Sequence, residues 1–308
     1  MSISASLVKE LREKTSAGMM DCKKALEETK GDFEAAVEWL RKKGLSAAAK
    51  KAGRVAAEGA VHAQVTNNVG IVVEINSETD FVARNDGFRA FVKNIAEHVT
   101  ATKDSADILT QKYVKNPAQT VGDLLKETIA TIGENIVIRR TQKYEGSANT
   151  LVHTYIHGEG KIGVLLEVSG NSSSSEVRTA AQDIALHIAA MNPMAISGDQ
   201  IPADVVSKEK EILKAKNLEQ GKKPEMIDKI VEGQIRKFLA ENCLVEQSFV
   251  KNPDVKVSEY LKDASKKAGA EIQVKRFVRF ELGEGIEKKK DDFAAEVAAQ
   301  QAAALKGH

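Results

Sequence analysis

The sequence predicts an α+β protein with a duplicated core, and three observations carry that prediction. Alanine, lysine and glutamate abound while prolines number five, a composition that suits helix interiors. β-Branched apolar runs of strand length recur at residues 69–75 and 162–168, each behind a glycine-bearing turn. Each run is followed by a helical pattern containing Ile-Ala-x-His, with Ile95 and His98 in one copy and Ile184 and His187 in the other.

The chain opens with three helical patterns. Ser4 can cap a first helix with Leu7, Val8 and Leu11 on one face. After the break at Thr15-Ser16-Ala17-Gly18, a second helix runs through Ala25 and Leu26 and ends near Gly31. Asp32 caps a third, with Phe33, Ala36, Val37 and Leu40 at helical spacing, closed by Gly44. Residues 1–46 thus form a three-helix module similar to ubiquitin-associated domains, too small for a deep core and suited to docking. Residues 47–60, small and basic without an apolar stripe, read as a solvated linker.

The repeat then spans residues 61–146 and, in two pieces, 147–194 and 246–282, each copy reading strand, helix, helix, strand. Pro117, Val121, Leu125, Gly133, Ile136 and Tyr144 align with Pro253, Val257, Leu261, Gly269, Ile272 and Phe280 at an offset of 136. The Ile-Ala-x-His helices align at 89, so 136 − 89 = 47 additional residues interrupt the second copy. They fall in residues 195–245 and read as a helical hairpin, with Val205, Val206, Ile212 and Leu213 on one arm and Ile227, Ile230, Val231, Ile235, Phe238 and Leu239 on the other. Two such helices bury little by themselves. A self-association arm and a buttress against the body are both open. Residues 283–308 form a tail beyond both copies.

Composition excludes several classes. Forty-five basic residues balance 44 acidic ones for a net charge of +1, which disfavours a phosphate-backbone binder. Aromatics are too sparse for base-stacking platforms. The two cysteines, Cys22 and Cys243, are far apart and form no CxxC pair, which fits a reducing compartment. No signal peptide or run of about 20 apolar residues is present, so a cytoplasmic location is expected. No phosphate-binding P-loop, GxSxG elbow, HExxH or dinucleotide fingerprint occurs, and Gly283-Glu284-Gly285 stops short of the last. No covalent chemistry, cofactor or metal of the chain's own is therefore expected. His153, Tyr155 and His157 alternate on an extended segment, but a metal pair there would have only Glu159 as a nearby third ligand. His98 and His187, at equivalent repeat positions, suit a shared packing role.

The most specialised segment is Ser77-Glu78-Thr79-Asp80-Phe81-Val82-Ala83-Arg84-Asn85-Asp86, which joins a strand to a helix that Asn85 or Asp86 can cap. The other copy carries Gly170-Asn171-Ser172-Ser173-Ser174-Ser175 instead, a plain link. A connector elaborated in one copy is a candidate working loop. Composition equally allows Phe81 to fold into its own core.

The run Thr79 to Asn85 strongly resembles the signature of the bacterial elongation factor Ts family, as does the segment from Leu11 through Thr15-Ser16-Ala17-Gly18-Met19-Met20-Asp21-Cys22 to Leu26. The tail, with Gly283-Glu284-Gly285-Ile286-Glu287 and Asp292-Phe293-Ala294, is similar to the family's C-terminal module. Ser16 and Ser248 depart from the usual pattern. The resemblance covers essentially the whole chain and implies a guanine-nucleotide exchange factor for elongation factor Tu, with an antiparallel coiled-coil hairpin used for dimerisation and a C-terminal helical module over residues 283–308. It implies that Asp80 and Phe81, flanked by Thr79 and Val82, push into the partner's nucleotide domain near its magnesium site. Arg12, Met19, Met20 and Lys23 would hold the N-terminal module against that domain. Ile132 and Gly133 would make a second contact, and His157 would meet another domain. The alternative is an RNA-binding module, prompted by Lys50, Lys51, Arg54 and the pairs Arg139-Arg140 and Lys275-Arg276.

Overall fold

Leu11 and Leu26, both fully buried, nucleate the first packed unit of the protein, for which a computed structural model describes residues 3–15, 17–103 and 107–287. Helices α1 (Ala5–Thr15), α2 (Met19–Glu28) and α3 (Phe33–Lys51) enclose these leucines with Val8, Cys22, Ala25 and Ala36. Ser4 Oγ accepts from Leu7 N–H at 3.2 Å and Asp32 Oδ1 from Ala35 N–H at 3.0 Å, the two caps that the sequence suggests. Gly44 does not end α3. The helix continues to Lys51 because Gly44 faces another helix, where an added methyl would come within 3.2 Å of Ala130 Cβ. The expected solvated linker at 47–60 is likewise corrected. Its first residues are the last turn of α3, Ala56 and Ala57 are buried, and strand β1 (Glu58–Thr66) begins at its end.

The chain continues as β2 (Val69–Ser77), α4 (Asp80–Ala83), α5 (Asp86–Ala101), a two-strand ribbon of β3 (Lys112–Tyr113) and β4 (Asn116–Thr120), α6 (Val121–Ile132) and β5 (Ile136–Glu145). A second set follows: β6 (Thr150–His157), β7 (Ile162–Ser169), α7 (Ser175–Met191), the inserted α8 (Ala203–Glu219) and α9 (Pro224–Asn242), the ribbon β8 (Ser248–Phe249) and β9 (Asn252–Lys256), α10 (Val257–Ala268) and β10 (Val274–Glu281). Each set therefore has one strand and one ribbon more than the strand, helix, helix, strand reading. The ribbon strands are too short to give a periodic signal, whereas β6 holds the extended segment on which His153, Tyr155 and His157 alternate.

Both sheets are three-stranded and antiparallel, in the orders β1-β2-β5 and β10-β7-β6, so the most apolar strand is central in each. α5 and α6 cover one face of the first around Phe88, Ile95 and Ile71, and α7 and α10 cover the second around Ile184, Ile188 and Leu166. The uncovered faces meet each other through Val61, Val72, Tyr144, Val152, Leu165 and Phe280. Two glycines permit that approach. A Cβ on Gly70 would lie 2.4 Å from Val152 Cγ1, and one on Gly163 would lie 2.4 Å from Val61 Cγ1.

α8 and α9 pack as an antiparallel pair, with Ile227, Val231, Ile235 and Leu239 of α9 on Val206 and Leu213 of α8. Ile212, Leu218 and Met226 stay exposed on this pair. Among the described residues, no helix is long and apolar enough to cross a membrane. Most of the expected C-terminal helical module, residues 288–308, lies outside the described residues.

Candidate protein-docking site

The specialised loop leaves the sheet at Ser77, the buried end of β2. Thr79, extended at φ −124° and ψ 156°, starts the single turn of α4. Asn85 Oδ1 then accepts from Gly87 N–H at 2.8 Å and Phe88 N–H at 3.2 Å, which fixes the start of α5. Between these points the turn has an inside and an outside. Val82 is buried against the first core, whereas Phe81 projects outward at 79% exposure and Asp80 is exposed beside it. Phe81 is thus not a core residue of its own chain. In the second set, residues 170–174 hold no helix and lead directly into α7, with Ser174 Oγ accepting from Val177 N–H at 3.4 Å.

A second loop supports the first. α6 ends at Ile132, half-buried on the core, and Gly133 closes it at φ +89°, a left-handed conformation that glycine adopts at little cost. The next two residues reach the 77–86 segment. Glu134 Oε2 accepts from Thr79 N–H at 3.0 Å and Glu134 Oε1 from Thr79 Oγ1–H at 2.7 Å. In return, Asn135 N–H donates to Glu78 Oε1 at 2.6 Å, and Asn135 Nδ2 donates to the Arg54 carbonyl at 2.8 Å. Arg54 also pairs with Glu78 at 3.4 Å. Glu78 and Thr79, which lead into Asp80, Phe81 and Val82, are therefore stitched to Glu134 and Asn135, the residues that directly follow Ile132 and Gly133.

Glu134, Asn135 and Arg54 lie outside both the specialised segment and the contacts that the resemblance implies. A signal for Glu134 exists: at the offset of 136 it aligns with Ala270, so the two copies differ at this position.

The remaining candidates surround this centre at greater remove. Arg12, Met19, Met20 and Lys23 are exposed at the end of α1 and start of α2, Met20 to 74%. Their module is tied to the site through α6, by the Gly44 contact with Ala130 and by an ion pair of 3.3 Å between Arg41 and Asp123. His157 is exposed at the end of β6, its Nδ1 3.1 Å from the Tyr155 hydroxyl. The turn after it accepts a 2.8 Å hydrogen bond at Gly160 O from Val61 N–H. Val61 is three residues from Glu58, the register partner of Ser77, so this turn lies about 10 Å along the strand from the loop's departure point.

Three other readings meet concrete geometry. Arg139 and Arg140 bond the fully buried Glu74 at 2.9 and 2.6 Å, and Arg276 bonds Glu167 at 2.6 Å. These arginines neutralise carboxylates within the fold, which removes their support for a phosphate-binding face. His153 bonds Gln182 at 2.8 Å, and among the described residues no three His, Cys, Asp or Glu side chains converge. His98 and His187 are buried and bond Gln111 and Gln247 at 3.0 and 2.9 Å, a packing arrangement used once in each set.

The family profile described as Elongation factor TS matches residues 78–284. A protein of Bdellovibrio bacteriovorus called Elongation factor Ts is 68% identical over 312 residues, covering 100% of both chains. Its namesake in Trichlorobacter lovleyi is 49% identical, covering 99% of this chain and 100% of that one. That of Halothermothrix orenii is 48% identical over 96% and 98% respectively.

Proposed function

The chain belongs to the elongation factor Ts family, and on that premise we propose that it is a guanine-nucleotide exchange factor of translation elongation, which docks on elongation factor Tu bound to GDP and drives GDP out through the Phe81 turn. The observation that carries this reading is a large aromatic side chain held 79% exposed on an anchored turn, where its own core offers it nothing. Full burial of such a ring against a partner stabilises the complex by about 1.5–3 kcal/mol.

The chain needs no proton donor and no nucleotide pocket of its own for this task. Exchange is a coupling between two ligands of the partner, and the coupling is reciprocal: whatever weakens GDP by a factor weakens in turn by the same ratio when GDP binds. A thousandfold effect requires ~4 kcal/mol of contact made better in the GDP-free state. Phe81, Ile132 and the methionines of α2 have the apolar surface, and Asp80 and the Gly133 backbone the polar contacts, to supply it. Displacing the helices beside the partner's magnesium ion would also remove a major phosphate ligand. His157 serves a further partner domain, and α8 with α9 serves as the self-association arm, consistent with exposed Ile212, Leu218 and Met226.

The test is GDP release from purified elongation factor Tu. Wild-type chain accelerates it, and Phe81→Ala keeps docking but loses most of the acceleration. Undiminished acceleration by that variant would end the wedge role.

A further inference from the structure

We propose that Glu134 is a positioning residue for exchange, holding the one-turn helix α4 so that Phe81 meets the partner already aimed. The inference rests on the reading of Phe81 as the inserting side chain. A four-residue helix has no stability of its own, because nucleation costs more than one turn returns. Its orientation is therefore set from outside.

Thr79 is the N-cap residue of α4, yet its side chain makes no cap bond to the helix. Its hydroxyl is turned instead to Glu134 Oε1 at 2.7 Å, while its N–H donates to Oε2 at 3.0 Å. Both carboxylate oxygens thus grip one residue, two positions before Phe81. Charge-assisted hydrogen bonds of this kind are shorter and about twice as strong as neutral ones. Ser77 Oγ adds a 3.0 Å bond to the Thr79 carbonyl, and the reverse bond from Asn135 N–H to Glu78 keeps the two loops from sliding. On the far side, Val82 is buried and Asn85 caps α5. A second observation comes from the internal comparison. At the offset of 136 the second set carries Ala270 in place of Glu134, and that set has no short helix between β7 and α7. A carboxylate at this position and the turn it grips occur together in one half, whereas the other has alanine there, with its glutamate one residue later at Glu271, and no such turn.

Without the grip, docking surfaces remain and Phe81 must be ordered during the encounter. The expected signature is a split between maximal rate and half-saturation. Glu134→Ala lowers the maximal factor-stimulated rate of GDP release about tenfold, the equivalent of ordering one rotamer-rich side chain, while the half-saturating factor concentration moves less than about threefold. Glu134→Gln, which keeps one accepting oxygen, falls between Glu134→Ala and wild type and melts with wild type. The double variant Glu134→Ala/Phe81→Ala releases GDP no more slowly than Phe81→Ala, because Glu134 acts through Phe81. Impaired Phe81→Ala beside wild-type rates for both Glu134 variants overturns the positioning role and leaves the wedge standing. Additive losses in the double variant also overturn it, by giving Glu134 a contact of its own. A wild-type rate from Phe81→Ala overturns the wedge and the positioning role together.

Discussion

The Arg140 guanidinium lies 4.2 Å over the Phe280 ring, which joins the last strand of one repeat to the last strand of the other. The exchange is mutual: Arg276, 136 residues after Arg140, lies 4.1 Å over Tyr144, 136 residues before Phe280. Each arginine also bonds the glutamate of its own central strand, Glu74 or Glu167, at 2.6 Å. The two sheets are thus closed at their backs by a pair of equivalent Glu, Arg and aromatic stacks that cross from half to half.

Glu74 is the critical member of the first stack. Burial on its own pushes its carboxyl up, but the Gly283 N–H, the Arg139 and Arg140 guanidinia and the Asn76 amide outweigh this and hold it below the ordinary value of 4.5. A carboxyl depressed in the folded state adds stability that is present above the unfolded value and lost as pH falls through the folded one. Urea midpoints are expected to fall as pH drops below about 4.5, with a smaller fall in Glu74→Gln. Glu74→Ala, which leaves Arg139 and Arg140 only their outer partners at Glu281 and Glu284, is expected to cost about 2–3 kcal/mol; a loss below 1 kcal/mol would show the stack to be dispensable.

Phe81 and Phe88 separate function from stability within one short segment. Phe88 is fully buried and Phe81 is 79% exposed. Phe88→Ala is expected to cost about 3–5 kcal/mol in urea unfolding, and Phe81→Ala less than about 0.5 kcal/mol. Equal losses would mean that Phe81 packs on its own chain.

The paired histidines give a second pH dependence. Nδ1 of His98 accepts from Val114 N–H at 3.4 Å and Nδ1 of His187 from Val250 N–H at 3.1 Å, so each ring is neutral and carries its proton on Nε2. Burial pushes both below 6.5, against an opposing pull from Gln111 and Gln247. For a group depressed by folding, the unfolded chain binds the proton first. Stability is therefore full above about pH 6.5 and declines as pH falls through that value. The double variant His98→Asn/His187→Asn is expected to flatten the slope of unfolding free energy between pH 7 and pH 5.5, and an unchanged slope would place the titration elsewhere.

The inserted hairpin is closed at its base before it begins. Met194 N–H donates to Asn242 O at 2.8 Å and Leu244 N–H to Ala195 O at 2.9 Å. Deleting residues 203–240 with a short glycine-serine bridge is accordingly expected to leave the two-sheet body folded while lowering the mass seen in sedimentation. A body that keeps its oligomeric mass would refute the arm.

Helix starts are legible in the sequence wherever one residue type has one physical use. Ser4, Asp32 and Asn85 cap helices because a short side-chain oxygen reaches free N–H groups from that position in any context. The Phe81 segment was legible because one repeat elaborates what the other leaves plain. Gly44 was misleading, since a glycine permits close helix packing as readily as it ends a helix.

By itself, then, the sequence determined the α+β class, the duplication with its inserted hairpin, and the position of the specialised loop, all of which depend on periodicity and internal comparison. The tertiary structure alone decided which side of α4 faces outward, that Glu134 grips Thr79 across 55 positions, and that Arg139 and Arg140 are consumed by Glu74 across 65 and 66. The physical reason is common to these. A charged or aromatic side chain has the same local signature whether it meets solvent, a partner or its own core, and the meeting is fixed by packing between segments remote along the chain.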